Sequence, residues 1–283
     1  MMTKEVEKKI LQYIHAQPRA VQEIAKHINK NWRTADSYVQ KIVDESGQLA
    51  VRTFRGGTRG ALKIVYWNNK DSVNASEFQE RLFKRIEIGR RKRDFSPLDI
   101  YNYVAENKRS ARSGSYTVGN ELFNQNLSSF LKSAKERLLV FSGNCSFVNL
   151  QENGKSMLDV LTELAEKGTD IKVLTRVDFA SLGNLQKLLS INFALGKEAI
   201  EVRHCEQPLR GFLVDENALR LKEEVNPDEY KQGELPEDIR VILYDIRDSD
   251  WVKWTKDVFY NLFRTSIAGE KRVKDLKSIR RNA

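Results

Sequence analysis

Between residues 20 and 43 apolar side chains recur at helical spacing, and the recurrence is broken once. Residues 20–29 put Val21, Ile24, Ala25 and Ile28 on one face, which predicts a short amphipathic helix. The polar triplet Asn29-Lys30-Asn31 interrupts it. From Trp32 the pattern resumes, with Ala35, Val39, Ile42 and Val43 as the inward stripe of a second helix, and Arg33, Thr34, Ser37, Tyr38 and Lys41 pointing outward. Asn31 can cap this helix, because its side-chain oxygen can accept from the free amides of the first turn, and Gly47 ends it. Upstream, residues 4–16 predict a supporting helix with Val6, Ile10, Tyr13 and Ile14 inward, separated from the next by Pro18.

Residues 48–54 and 61–67 are rich in Val, Ile, Tyr, Phe and Trp and predict two strands, joined by the glycine-rich turn Arg55-Gly56-Gly57-Thr58-Arg59-Gly60. Helix, turn, helix and two-stranded hairpin, over residues 1–70, is the order of a winged helix-turn-helix. A recognition helix of this length fits a major groove, where Arg33, Thr34, Ser37, Tyr38 and Lys41 would meet base edges or phosphates. The hairpin would bring Arg52, Arg55, Arg59 and Lys63 to the flanking backbone or minor groove. The competing reading is a helical module that docks on another protein. Trp32 is expected to pack under the recognition helix, with a wedge against sugar-phosphate as the alternative.

Residues 71–113 predict a helical linker or dimerisation segment. A helix over 76–93 has Phe78, Leu82, Phe83 and Ile86 as its apolar face and ends in Gly89-Arg90-Arg91-Lys92-Arg93, either a solvated helix end or an extra phosphate contact. A second helix opens at 95–101, with Pro97 near its first turn. The small, polar, basic stretch 108–115 marks the expected domain boundary.

From Tyr116 onward helices and strands alternate. Helices are expected at 122–134, 156–167, 182–193 and 250–264, and strands at 137–142, 170–175, 200–204, 209–214, 218–221 and 239–244. Such alternation predicts an α/β sandwich with a largely parallel sheet over residues 114–268. The aromatic stripe Trp251, Trp254, Phe259, Phe263 is expected in the core, with part of it available as a dimer seam. Residues 269–283, with Lys271, Arg272, Lys274, Lys277, Arg280 and Arg281, form a basic tail expected to be frayed and solvated.

Charge separates these regions. The net charge is +9 over 283 residues. Residues 1–70 carry 13 Lys/Arg against 6 Asp/Glu, whereas residues 114–268 carry 19 against 24. A chain that is basic at one end and mildly acidic in its larger body suits contact with a polyanion through that end, and favours double-stranded DNA over a protein partner for the winged head. No apolar run approaches the roughly 20 residues that cross a bilayer, and residues 1–5 show no apolar signal segment, so no membrane association is expected. The two cysteines, Cys145 and Cys205, are far apart, which excludes a disulfide framework or paired-cysteine zinc site and fits a reducing, cytoplasmic setting at the nucleoid. Both cysteines are expected as small buried residues. His15, His27 and His204 are too scattered for a metal triad and are expected to be structural, so no metal or cofactor is predicted.

The segment Ile200-Glu201-Val202-Arg203-His204-Cys205-Glu206-Gln207-Pro208-Leu209-Arg210-Gly211-Phe212-Leu213-Val214-Asp215-Glu216-Asn217 resembles the signature region of one lobe of the phospholipase D superfamily. In that family a His-x-Lys-x4-Asp motif supplies a nucleophilic histidine and a phosphate-holding lysine. Here the corresponding positions are Arg210, Phe212 and Asn217. His204 as a substitute nucleophile would have Glu206 and Gly211 as its partners, which cannot serve. Phosphoryl transfer needs a nucleophile and cations to balance developing charge, and Phe212 supplies neither. The resemblance therefore implies a catalytically degenerate domain, not an enzyme.

A winged helix followed by one such lobe resembles archaeal transcription regulators of the TrmB-like type. The resemblance implies a homodimeric DNA-binding regulator, in which the phospholipase D-like domain pairs two lobes across a two-fold axis or senses a small-molecule effector. No sugar-binding motif matches. His204 and Arg210 flank the former catalytic loop and are candidates for holding an anion or effector. A two-fold dimer predicts a palindromic operator with half-sites about one helical turn, or a multiple of it, apart. The competing readings are a phospholipase D-type DNA nuclease or phosphodiesterase, and an architectural DNA-coating protein.

Overall fold

The computed structural model describes residues 2–16, 19–55, 61–67, 77–116, 126–225 and 239–281. The expected turn 56–60 with Arg59, Pro18, the polar break 68–72 and the start of the expected helix 122–134 lie outside the described residues, as do the side chains of His15, Arg52 and Arg55. The chain divides into two compact units, Met1–Asn74 and Ala75–Ala283.

The first unit contains α1 (Lys4–Ala16), β1 (Arg19–Ala20), α2 (Val21–His27), α3 (Trp32–Ser46), β2 (Leu49–Arg55) and β3 (Ala61–Trp67). The three strands form an antiparallel sheet in the order β1-β3-β2, with Arg19 opposite Val65 and Leu49 opposite Trp67. Ile10, Ile14, Val21, Ile24, Ala35, Val39, Ile42, Leu49 and Val65 meet in one core, so the helical-period stripes in the sequence become the contacts between helices. His27 stacks on Tyr13 at 4.0 Å between ring centroids, a packing role.

The second unit opens with α4 (Glu77–Ile88) and α5 (Leu98–Tyr101). The expected helix through residue 93 stops early. Asp94 accepts from the amides of Arg90 and Arg91, each at 2.9 Å, and turns the basic run out of the helix. The following elements are β4 (Arg109–Tyr116), α6 (Leu127–Lys132), β5 (Arg137–Phe141), a small hairpin of β6 (Gln151–Glu152) and β7 (Lys155–Ser156), then α7 (Met157–Glu166), β8 (Asp170–Thr175) and α8 (Leu182–Leu195). The unit continues with β9 (Ile200–His204), β10 (Gly211–Val214), β11 (Ala218–Val225), β12 (Ile239–Ile246), α9 (Ser249–Thr265), β13 (Ile267–Ala268) and α10 (Gly269–Arg281).

An eight-stranded sheet runs in the order β13-β9-β8-β5-β10-β11-β12-β4. The fold is mixed α/β, but the sheet is not largely parallel. Among the described residues only the β9/β8 and β8/β5 pairs of this sheet are parallel; the other five are antiparallel. The reason is connection length. The helices α7 and α8 are crossovers long enough to return the chain in the same direction, whereas the three-residue link from Val214 to Ala218 can only make a hairpin.

Along β5, Leu138 and Val140 join the layer made with α6, α7 and α8, while Phe141 packs edge-on against Phe259 of α9 at 5.1 Å. Burial on both faces explains the unbroken apolar run of this strand. Trp254, Phe259 and Phe263 of α9 are buried, as expected for a core stripe. Two expectations are corrected. Residues 109–116 are no boundary but an edge strand, paired along its length with Ile239–Ile246. The basic tail is a helix that buries Leu276 in the α7/α8 layer instead of fraying.

Candidate nucleic-acid interface

Helix α3 begins where the sequence expects. Asn31 Oδ1 accepts from the Thr34 amide at 2.8 Å, and Gly47 closes the helix with a left-handed φ of 59°. Its buried stripe fixes its rotation, so Arg33, Ser37, Gln40 and Lys41 are exposed, and Trp32 is 39% exposed instead of packed beneath the helix. Thr34 and Tyr38, expected to point fully outward, are half-buried, and Tyr38 leans on the core of the unit.

The charges on this face are ordered. Among the described residues Arg33, in the first turn, has no ion-pair partner. Lys41 pairs with Glu45 at 3.4 Å, and Asp44 accepts from Gln40 at 3.0 Å. The face therefore runs from cationic at the helix N-terminus to acidic in its last turn, and the helix dipole adds to the same polarity. Lys63 of β3, expected to hold nucleic-acid backbone, instead gives its ammonium to both oxygens of Asp36, at 2.8 and 2.7 Å, and lies 5.5 Å from the Trp32 ring centroid. Arg52 and Arg55 belong to β2, opposite Ile64 and Ala61. The structure thus gathers Arg33, Ser37 and Lys41 on one helix face and ties Lys63 to that helix.

The second unit holds a cleft of about 470 Å³ beside β5, β8, β10 and β11. Two of the three positions that match the phospholipase D signature line it, Arg210 and Phe212; Asn217 is exposed in the β10–β11 turn. Gly211 lies between β10 and β11 where a Cβ would come 2.2 Å from the Arg220 carbonyl oxygen, so only glycine permits this close strand pairing at the cleft wall. Arg210 donates through Nη1 to the carbonyl oxygens of Gln207 and Leu209, at 2.9 and 2.6 Å. Burial lowers its pKa from the usual arginine range, against support from Glu224.

Four cationic lining residues were not singled out in the sequence as members of one site: Arg91, Lys92, Arg176 and Lys222. The run 90–93 carried a signal for two of them; the others are joined to it only by folding. Glu224 pairs with Lys92 at 2.5 Å and with Lys222 at 2.8 Å. Burial works against its charge, but these lysines outweigh burial and hold its pKa at about 2. Arg176 pairs with Asp178 at 2.8 Å.

His204 is not among the residues that line this cleft. Its Nδ1 accepts from the Val177 amide at 2.9 Å, and burial, then Arg272, lowers its pKa. The structure therefore separates the two anion candidates. Cys145 is fully buried, which raises its thiol to about 11, and Cys205 is half-buried. Among the described residues no cluster of His, Cys, Asp and Glu is arranged to hold a metal ion.

No family model and no curated protein sequence matches this chain. Among solved structures it is similar to TrmBL2, an archaeal chromatin protein whose structure is described as showing a novel mode of DNA binding, at 14% identity and a TM-score of 0.40, over 93% of both chains. It is also similar to NucT from Helicobacter pylori, at 12% identity and a TM-score of 0.40, over 57% of this chain and 99% of that one. A polyphosphate kinase from Porphyromonas gingivalis is similar at 10% identity and a TM-score of 0.31, over 52% of this chain and 22% of the kinase. These likenesses are distant, and no residue role is transferred from them.

Proposed function

We propose that the chain is a DNA-binding transcription regulator that acts as a homodimer. The first unit is its winged helix-turn-helix, and the second is a catalytically inactive phospholipase D-like domain used for dimerisation or effector sensing. The observation that carries this reading is the outward face of α3: an exposed Arg33 at a capped helix N-terminus, with Ser37 and Lys41 along the same side. Insertion by the N-terminal end puts donors and positive charge at the groove and keeps Asp44 and Glu45 away from phosphate. Arg52, Arg55 and Arg59 would flank it from the hairpin.

The reading of the second unit as inactive is supported by its cleft. Among the described lining residues there is no histidine or cysteine. The one carboxylate, Glu224, has a pKa of about 2 and is held by two lysines, so it is a poor proton acceptor at neutral pH. Among the described residues no helix is long and apolar enough to cross a membrane. Location at the nucleoid is part of the proposal.

Selection of bound duplexes from a random library, followed by sequencing, tests this reading. A palindromic consensus is expected, with half-sites separated by a whole number of helical turns. Tight binding without a consensus would replace the regulator with an architectural DNA-coating protein. No binding at moderate salt would assign the first unit to a protein partner. Sedimentation of the free protein as a monomer would remove the dimer, and steady hydrolysis of a phosphodiester by the pure protein would restore the nuclease.

A further inference from the structure

The cleft of the second unit carries more positive charge than its own carboxylate balances. It is lined by Arg91, Lys92, Arg176, Arg210 and Lys222, against Glu224 alone. Glu224 serves the two lysines, and Asp178 serves Arg176. That leaves the guanidiniums of Arg91 and Arg210 outside any ion pair among the described residues, with Asp94 and Glu224 acting on them only at longer range. Guanidinium is the cation whose planar fork matches a phosphate.

Arg210 is held in place. Its Nη1 is anchored on two carbonyl oxygens, and its Nε and Nη2 lie where a Cβ on Gly143 would come within 2.8 Å, so the guanidinium rests directly on the Gly143 backbone. This half-buried guanidinium has carbonyl oxygens as its hydrogen-bond partners and Glu224 acting on it only at longer range, so it is placed to take a further anion.

Besides Ser142, Asn144 and Ser146, the uncharged lining includes an apolar wall. Phe147 and Phe212 meet edge to face at 5.4 Å, with Leu127 and Leu150 beside them. A bare inorganic anion would leave this wall unused, whereas a volume of about 470 Å³ is within the range of small-molecule sites.

We propose that this cleft binds a phosphomonoester with a planar or apolar body, of the nucleoside monophosphate class, with its phosphate on Arg91 and Arg210 and its body against Phe147 and Phe212. The ligand is bound and not turned over. This deepens the effector-sensing part of the proposed function but makes no use of α3, so it is tested without DNA.

The test is calorimetric titration of the full chain with the four ribonucleoside 5′-monophosphates, with adenosine, with inorganic phosphate and with a short single-stranded oligonucleotide. At least one monophosphate is expected to bind about tenfold or more tightly than adenosine or phosphate, a difference a calorimeter resolves. Arg91→Ala, at an exposed position off the core, is expected to weaken that binding about tenfold with an unchanged circular dichroism spectrum; Arg210→Gln should weaken it further. The proposal is overturned if no monophosphate binds more tightly than adenosine, or if Arg91→Ala and a folded Arg210→Gln both keep wild-type affinity. Equal affinity for inorganic phosphate would overturn the role of the aromatic wall. Displacement of the monophosphate by a more tightly bound oligonucleotide would reassign the cleft to nucleic acid.

Discussion

The ammonium of Lys63 lies 2.7 and 2.8 Å from the two carboxylate oxygens of Asp36, so a hairpin cation is bound to the helix beside it and not free. Both side chains are about 30% exposed, at 30% and 27%, so the pair contributes little to stability, roughly 0–1 kcal/mol. Its larger effect is on charge. Asp36 places a negative group on the face that is proposed to meet phosphate, and occupies a lysine there. Asp36→Asn is expected to raise affinity for any duplex and to steepen the dependence of log K on log salt by about 1. Anisotropy titrations at several salt concentrations check this; an unchanged slope would place Lys63 outside the interface.

The helix and the hairpin should fail differently. Arg33→Ala removes a cation that would reach base edges, and is expected to cost about 1–3 kcal/mol on a selected site and less on a random duplex. The double variant Arg55→Ala/Arg59→Ala is expected to weaken both duplexes alike and to flatten the salt slope by about 2. Parallel titrations on the two duplexes separate these behaviours. Equal loss on both duplexes for Arg33→Ala would turn it into a phosphate contact.

What the sequence disclosed follows from the range of the interactions involved. Helix α3 was legible because its stripe, its Asn31 cap and its Gly47 stop are all local. Strand β8 was legible at its bounds, Asp170–Thr175, because β-branched and apolar Ile171, Val173, Leu174 and Thr175 follow the Gly168 helix stop. Strand β4 was not, since Arg-Ser-Ala-Arg-Ser-Gly-Ser-Tyr has no apolar alternation and is a strand only through pairing with β12, at the far end of the unit in sequence. Helix α10 hid for a related reason: Val273 and Leu276 are too sparse a stripe to stand out among its charges. In the candidate sites, Arg33 and Lys41 could be read from helical period. The pairing of Lys63 with Asp36, and the meeting of Arg91 with Arg176, Arg210 and Lys222, depend on tertiary contacts that no local pattern encodes.

A part-buried fork joins the neighbouring strands β11 and β12 of the large sheet. Arg220 and Asp245 are opposite one another on β11 and β12, with Nε and Nη2 at 2.6 and 2.9 Å from the two carboxylate oxygens, and Arg220 is 6% exposed. Arg112 reaches the same carboxylate at 3.1 Å from the more exposed edge strand. Arg220→Ala removes both bonds of the fork and leaves Asp245 with Arg112 alone, so it is expected to destabilise the second unit by about 3 kcal/mol. Arg112→Ala should cost under about 1 kcal/mol. Urea midpoints of the second unit's transition check the contrast, and similar losses for the two variants would mean that the carboxylate is not effectively buried.

Asp257 gives the second unit an unusual pH response. Burial raises its pKa from 3.8 to about 6, overriding Lys256, Lys253 and Arg264, which pull it down, with Glu216 adding to the rise. An acid whose folded pKa exceeds its unfolded value binds more protons when folded between the two. Its charge is therefore a penalty that is fully present above about pH 6 and relieved as pH falls from about 6 toward 3.8, by at most about 3 kcal/mol. His204 acts in the opposite sense: its folded pKa is lowered by burial, so its contribution is lost as pH falls below the unfolded value of 6.5. Glu224, held at about 2, loses its contribution only below its unfolded value of 4.5. The Asp257 effect is thus isolated by difference. Between pH 6 and 4.5, wild type is expected to gain stability relative to Asp257→Asn as pH falls. Chemical denaturation at half-unit pH steps measures this, and parallel stability curves for the two proteins would show that Asp257 titrates like an exposed aspartate.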